Sequence, residues 1–275
     1  KPSTDNPLTL CMLTQLLGEA GVTPGAAQIV TGRGSVVGHE LCANPDVDLV
    51  TLTGSTQVGI ETAEVCAKTL THTALELGGN DAFIVMSDAY IDLATDELIW
   101  GRMYNTGQVC CASKRFLVHK DVVDEFTKKA VEKISALKQG DPADDATQIG
   151  CLISEHAAKK VEEQVNLTVE QGGKIILGGK RNGAFYEPTV IVDVPKTADV
   201  ASDMEIFGPV VPIITFETEE EAIEIANGSM FGLCGCVFSA DQKTCARVAC
   251  ALECGGAVIN GASFYRSFEM PFGGY

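Results

Sequence analysis

Cys110 stands in Asn105-Thr-Gly-Gln-Val-Cys-Cys-Ala-Ser-Lys-Arg115, a glycine-opened turn between an apolar helical pattern and a strand-like Arg115-Phe-Leu-Val-His119. Free backbone N–H groups at such a seam favour a thiolate, the reactive form of cysteine, and this makes Cys110 the candidate nucleophile. Upstream lies Thr73-Ala-Leu-Glu-Leu-Gly-Gly-Asn80, in which a lone carboxylate interrupts an apolar strand just before two glycines. Burial at a strand end hinders ionisation of a carboxyl group and suits a general base working near neutral pH, the role read for Glu76. Each residue has a plainer reading when taken alone. Cysteine is often a small buried hydrophobe, this chain has eleven, and a strand-end glutamate is commonly a surface residue. Together the two motifs favour the functional reading.

The elements that must position these groups alternate between helix and strand. Leu10, Leu13, Leu16 and Leu17 give a helical period over 8–21, closed by Gly18 and Gly21. A buried strand is predicted over 27–31, followed by Gly32-Arg-Gly-Ser-Val-Val-Gly38, which opens a short helix to residue 44. That glycine spacing is either a loose dinucleotide fingerprint or a tight strand-to-helix turn. A strand over 48–53 leads to a helix over 57–70 whose start, near Ser55, is either plain capping or a site for a pyrophosphate. Further on, a strand over 81–86 and an amphipathic helix over 91–104 deliver the thiol loop. Helices over 121–138 and 154–171, a strand over 174–177, and alternating elements over 219–226, 234–239, 242–252 and 257–260 complete an α/β fold. From the residues alone, 205–209 reads as a loop before an edge strand.

Composition excludes several partners. A net charge of −17 and the lack of a basic stripe argue against nucleic acid and against an anionic membrane. No run is long and apolar enough to span a bilayer. The cysteines follow no repeated spacing, which fits free thiols in a reducing cytoplasmic setting better than a disulfide framework. His39, His72, His119 and His156 are too scattered to suggest a zinc site, so no metal is expected.

Four blocks carry a resemblance: Glu-Leu-Gly-Gly-Asn at 76–80, Asn-Thr-Gly-Gln-Val-Cys at 105–110, Glu-Ile-Phe-Gly-Pro-Val at 205–210 and Pro-Phe-Gly-Gly at 271–274. In order and spacing they resemble the signature blocks of the aldehyde dehydrogenase superfamily, over essentially the whole chain. The resemblance implies an aldehyde dehydrogenase-like fold in which residues 1–77 are the second half of a Rossmann-type dinucleotide-binding domain and 78–275 are an α/β catalytic domain. Because the block beginning Lys1-Pro-Ser lies in mid-chain in that family, it also implies a fragment, lacking an N-terminal part and the extreme C-terminus. It implies a dimer or dimer of dimers as well.

By the same resemblance Cys110 adds to an aldehyde and Glu76 activates the water that releases the acid from a thioester. The oxyanion is held by the Cys110 backbone N–H and by an asparagine that would precede Lys1, so the chain alone is expected to have little or no activity. Lys1, Gly34, Ser55 and Leu77 are the implied cofactor contacts, while Glu205 holds the nicotinamide ribose and Phe207 packs near the nicotinamide ring. Where NAD-preferring members commonly carry a glutamate this chain has Thr4, which removes repulsion of a 2′-phosphate, so the cofactor is NADP or NAD with NADP favoured. The motifs are most similar to the succinate-semialdehyde dehydrogenase branch, and a semialdehyde is the expected substrate. Tyr104 replaces an arginine found there, leaving Arg266 as the candidate cation for a distal carboxylate. Adjacent Cys110 and Cys111 raise a reversible disulfide as a further possibility, with Cys111 as a packing residue the plainer one. A folded but inactive scaffold or subunit-interaction piece is the alternative reading of the whole chain.

Overall fold

The leucine period at the start of the chain becomes helix α1 (Leu8–Glu19), which Gly21 ends at φ +88°. In the computed structural model, which describes residues 1–274, the chain falls into two units, Lys1–Leu77 and the part from Gly78 on.

In the first unit a wide helical turn (Gly34–Gly38) runs into α2 (His39–Ala43), then β1 (Leu49–Thr53), α3 (Thr56–Cys66) and β2 (His72–Glu76). β1 and β2 pair in parallel, Leu49 opposite His72 and Thr53 opposite Glu76. Three expectations are corrected here. Residues 27–31 form no strand; no neighbouring strand pairs with them, and an extended segment without a partner gains no ladder. The helix read to residue 70 stops at Cys66, and Leu70 turns left-handed at φ 56°. β2 is not a buried strand, being exposed at His72 to Ala74 and half-buried only at Leu75 and Glu76, because it lies in a sheet of two strands in which its one strand partner is β1.

The second unit holds the larger sheet. Its elements are β3 (Asp81–Val85), α4 (Ile91–Leu98), β4 (Ser113–His119), α5 (Val123–Ser135), α6 (Glu155–Glu170), β5 (Lys174–Leu177), the short pair β6 (Arg181–Asn182) and β7 (Phe185–Tyr186), β8 (Thr189–Val192), β9 (Val210–Phe216), α7 (Glu219–Asn227), β10 (Cys234–Phe238), α8 (Gln242–Ala251) and β11 (Gly256–Ile259). Strand order is β11-β10-β3-β4-β9-β8-β5. Every pairing is parallel except the antiparallel pair β5–β8.

Helices cover both faces, as a parallel sheet requires. On β3, Ala82 and Ile84 face a core with Val161 and Val165 of α6, Ala222 of α7 and Val248 of α8. Phe83 and Val85 face the other core, with Leu98 of α4 and Phe126 and Ile134 of α5. Phe83 lies 5.0 Å from Phe116 and 4.5 Å from Phe238, ring to ring. Truncation of such a buried phenylalanine to alanine costs about 3–5 kcal/mol. β9, read as an edge strand, lies between β4 and β8 and is almost wholly buried. Among the described residues no helix is long and apolar enough to cross a membrane.

Candidate active site

Because β3, β4 and β9 run in parallel, the segments entering them, 78–80, 105–112 and 205–209, open along one edge of the sheet. Small residues let these segments touch. A Cβ added to Gly78 would come within 2.6 Å of Glu205 Oε2, and one on Gly79 within 2.5 Å of the Cys110 carbonyl oxygen. Gly107 has φ +73° and its backbone meets Gly208, with 2.3 Å from an added Cβ to the Gly208 oxygen. The helix that delivers the thiol is shorter than its pattern suggests. α4 stops at Leu98, a wide turn takes Ile99–Met103, and a 3₁₀ turn takes Tyr104–Gly107. Asn105 (φ 50°) and Thr106 (φ 58°) are left-handed ahead of Gly107, a costly state for a β-branched threonine. Reciprocal 3.1 Å bonds from Asn105 Nδ2 to the Gln108 carbonyl and from Gln108 Nε2 to the Asn105 carbonyl hold the turn. Gln108 Oε1 also accepts from the Ile153 N–H at 2.8 Å.

Cys110 is half-buried, and both it and Cys111 are free thiols. Donation from the Cys111 thiol, the nearby Lys114 charge and the Cys111 backbone N–H outweigh burial and draw the Cys110 pKa down to about 6. Cys111 is pushed far up, by that same hydrogen bond and by burial. One of this pair is thus held as thiolate at neutral pH and the other as thiol.

Beneath the loop lies a set of buried charges that the sequence reading missed. Lys114 Nζ donates to the carbonyls of Val109 (2.9 Å), Cys110 (2.5 Å) and Ala112 (3.4 Å) and pairs with Glu205 Oε1 at 3.2 Å. The same ammonium lies 5.8 Å from the centre of the Phe207 ring. Arg102 donates to the carbonyls of Val210 and Ile206. Arg115 donates to those of Asn80, Ala201, Ile225 and Ala226. Asp81 accepts from the Cys234 N–H at 3.1 Å, and burial pushes its carboxyl up to about 7. The one signal in the sequence was the pair Lys114-Arg115 at the head of a strand otherwise apolar to Val118.

Of the remaining residues singled out above, Glu205 and Phe207 stand together with Cys110 around Lys114. Glu205 Oε1 also accepts from the Gly79 N–H at 3.3 Å. Tyr104 is exposed and belongs to an aromatic group, 5.0 Å from Trp100 and 6.0 Å from Phe264. Phe264 in turn packs against the apolar cluster of Cys111, Leu233 and Cys234, as Cys110 does. Arg266 is half-buried. Its Nη1 donates to the carbonyls of Ser263 and Tyr265, both at 2.9 Å, its Nη2 meets Cys234 Sγ, and its guanidinium lies over Phe272.

In the first unit Lys1, Thr4 and Gly34 come together on a cavity of about 750 Å³, lined also by Ser35, His39 and Cys42. That volume suits a nucleotide-sized ligand, and an added Cβ on Gly34 would meet nothing within 4 Å. Ser55 and Leu77 are not in that lining. Ser55 caps α3, accepting from the Val58 N–H at 3.4 Å, and Leu77 covers Gly59, whose added Cβ would meet it at 2.5 Å. Glu76 is the last residue of β2 and is half-buried.

A family model described as the aldehyde dehydrogenase family matches residues 1–275. The chain is 39% identical over 283 residues to betaine aldehyde dehydrogenase of Bacillus subtilis (strain 168), covering 100% of this chain and 57% of that protein. It is 39% identical over 277 residues to succinate-semialdehyde dehydrogenase [NADP(+)] GabD of Escherichia coli (strain K12), again covering 100% and 57%. Among solved structures it is similar to an NADP-dependent enzyme of E. coli, with TM-score 0.96 and 39% identity over 99% of this chain and 57% of that one. The Staphylococcus aureus betaine aldehyde dehydrogenase in complex with NAD+ gives TM-score 0.95 and 37% identity, over 100% and 56%. The chain thus spans 57% of the length of these curated relatives. With the model matched from end to end and the fold shared at these identities, this chain belongs to the aldehyde dehydrogenase family.

Proposed function

We propose that the whole protein oxidises an aldehyde to the carboxylic acid with NADP or NAD, NADP favoured. The observation that carries this reading is Cys110, a half-buried thiol held near pKa 6 at the meeting of three strand-entry loops. The thiolate adds to the aldehyde carbon, forming a C–S bond and an oxyanion. A nicotinamide cofactor, when bound, would accept the hydride that leaves this carbon as the oxyanion collapses to the carbonyl of a Cys110 thioester. Lys1, Thr4 and Gly34 would hold its adenosine end and Glu205 and Phe207 its nicotinamide end. Glu76 would take a proton from the water that hydrolyses the Cys110 thioester, and the acid leaves with the thiol restored. The enzyme is read as cytoplasmic and as a homodimer or homotetramer.

A semialdehyde such as succinate semialdehyde remains the substrate suggested by the motifs and by one of the relatives. A second reading rests on two observations. The acceptors of Arg266 lie on its own loop, at Ser263 and Tyr265, and on Cys234, and the exposed group beside the thiol cluster is aromatic. Aromatic faces suit a neutral or cationic tail better than a carboxylate.

The test is cofactor reduction by the whole protein on a panel of acidic, neutral and quaternary-ammonium aldehydes, with Cys110→Ala as control. Turnover abolished in Cys110→Ala supports the reading, and the best aldehyde selects between the two substrate classes. A folded whole protein that reduces neither cofactor with any aldehyde leaves the scaffold alternative.

A further inference from the structure

We propose that Lys114 is the positioning residue of this site, its ammonium tying the backbone of the thiol turn to the Glu205 carboxylate. The inference rests on Cys110 being the nucleophile. The Lys114 side chain is 1% exposed, and an ammonium offers three donors. Four acceptors surround it, the carbonyls of Val109, Cys110 and Ala112 and Glu205 Oε1, so its donors are fully engaged inside the protein.

Three of those acceptors come from one short arc that contains Cys110 itself. The ammonium therefore sets the curvature of the turn from within, immediately after the left-handed run Asn105 to Gly107 has aimed it. The fourth acceptor belongs to a different loop. Glu205 receives both Lys114 and the Gly79 N–H on Oε1, which leaves Oε2 to meet a ligand hydroxyl. One cation thus fixes the thiol and the carboxylate in a common frame.

Its charge also reaches the thiol. The charged or titratable groups acting on Cys110 are Cys111, Lys114 and Glu205. Those acting on Lys114 are Glu205, Asp81 and Arg102. Of the two full charges near the thiol, lysine favours the thiolate and glutamate opposes it.

The experiment reads the pH profile of Cys110 alkylation by iodoacetamide, followed by mass of the modified peptide, in wild type, Lys114→Met, Glu205→Gln and the double variant. Removal of the lysine is expected to raise the alkylation midpoint by about one pH unit, in the Lys114→Met protein and again between Glu205→Gln and the double variant. The second comparison stands if Lys114→Met fails to fold, because the double variant removes the buried ammonium and the carboxylate it pairs with together. In the whole protein Lys114→Met should also raise the KM for the nicotinamide cofactor about tenfold. Midpoints unchanged on removing the lysine, in whichever comparison folds, would overturn the proposal. A profile that shifts in a protein that oxidises no aldehyde would uphold the positioning role and sink the functional reading instead.

Discussion

A Cβ on Gly79 would lie 2.5 Å from the carbonyl oxygen of Cys110. The same oxygen accepts from Lys114 at 2.5 Å, so the turn cannot retreat without losing that bond. Gly79→Ala is therefore expected to destabilise the protein by roughly 1–3 kcal/mol, the usual range for overpacking a fixed site. Gly18→Ala, where an added Cβ meets nothing within 4 Å inside α1, is expected to stabilise by about 0.5–1 kcal/mol. Denaturant midpoints of the two variants check both signs.

The thiol pair predicts its own pH dependence. With the Cys110 pKa near 6, alkylation should be half-maximal there and nearly complete in thiolate by pH 7. Cys111→Ala removes the largest influence holding that value down, so its midpoint should rise toward the ordinary thiol value of about 8.5. A Cys111→Ala profile identical to wild type would refute the hydrogen bond as the cause.

Asp81 predicts a dependence of the opposite kind. Its carboxyl is raised by burial from 3.8 to about 7, so between those values the folded state holds a proton that the unfolded state has released. Stability from this group is therefore fully present below about pH 4, falls as the pH rises to 7, and is constant above. The rise corresponds to on the order of 4 kcal/mol. Relative to wild type, Asp81→Asn should gain stability steadily from pH 4 to 7 and then level off. Unfolding curves at fixed pH steps measure the difference, and a flat difference would reject it.

Thr4 lines the first unit's cavity beside Lys1 and Gly34. A carboxylate placed there would repel a 2′-phosphate and accept from ribose hydroxyls. Thr4→Glu in the whole protein should lower the ratio of kcat/KM for NADP to that for NAD by tenfold or more, about 1.4 kcal/mol. An unchanged ratio would remove Thr4 from the account of cofactor choice.

The alternation of helix and strand was legible because core faces repeat with the period of their element. On β3, Ala82 and Ile84 face one core while Phe83 and Val85 face the other. Less legible were the places where partners decide. Residues 27–31 have strand-like composition but no strand beside them, and β9 sits inside the sheet although its sequence fits an edge equally well. Lys114 and Arg115 resemble solvated charges at a strand end. What turns carbonyls toward them is the thiol turn at 109–112 for Lys114 and, for Arg115, the approach of distant segments at Asn80, Ala201, Ile225 and Ala226. Cys110 and Glu205 were found through their motifs, but the lysine between them carried no local pattern.

Arg115 draws together carbonyls from Asn80, Ala201, Ile225 and Ala226. Pulling any one of these segments away would take an acceptor from a buried cation, so none of them opens alone at low cost. In hydrogen exchange the amides of β3, of the turn at Asp199–Ala201 and of the last turn of α7 should share one opening free energy, although they are far apart in sequence. The edge of the sheet that carries the thiol would then melt as one cooperative block.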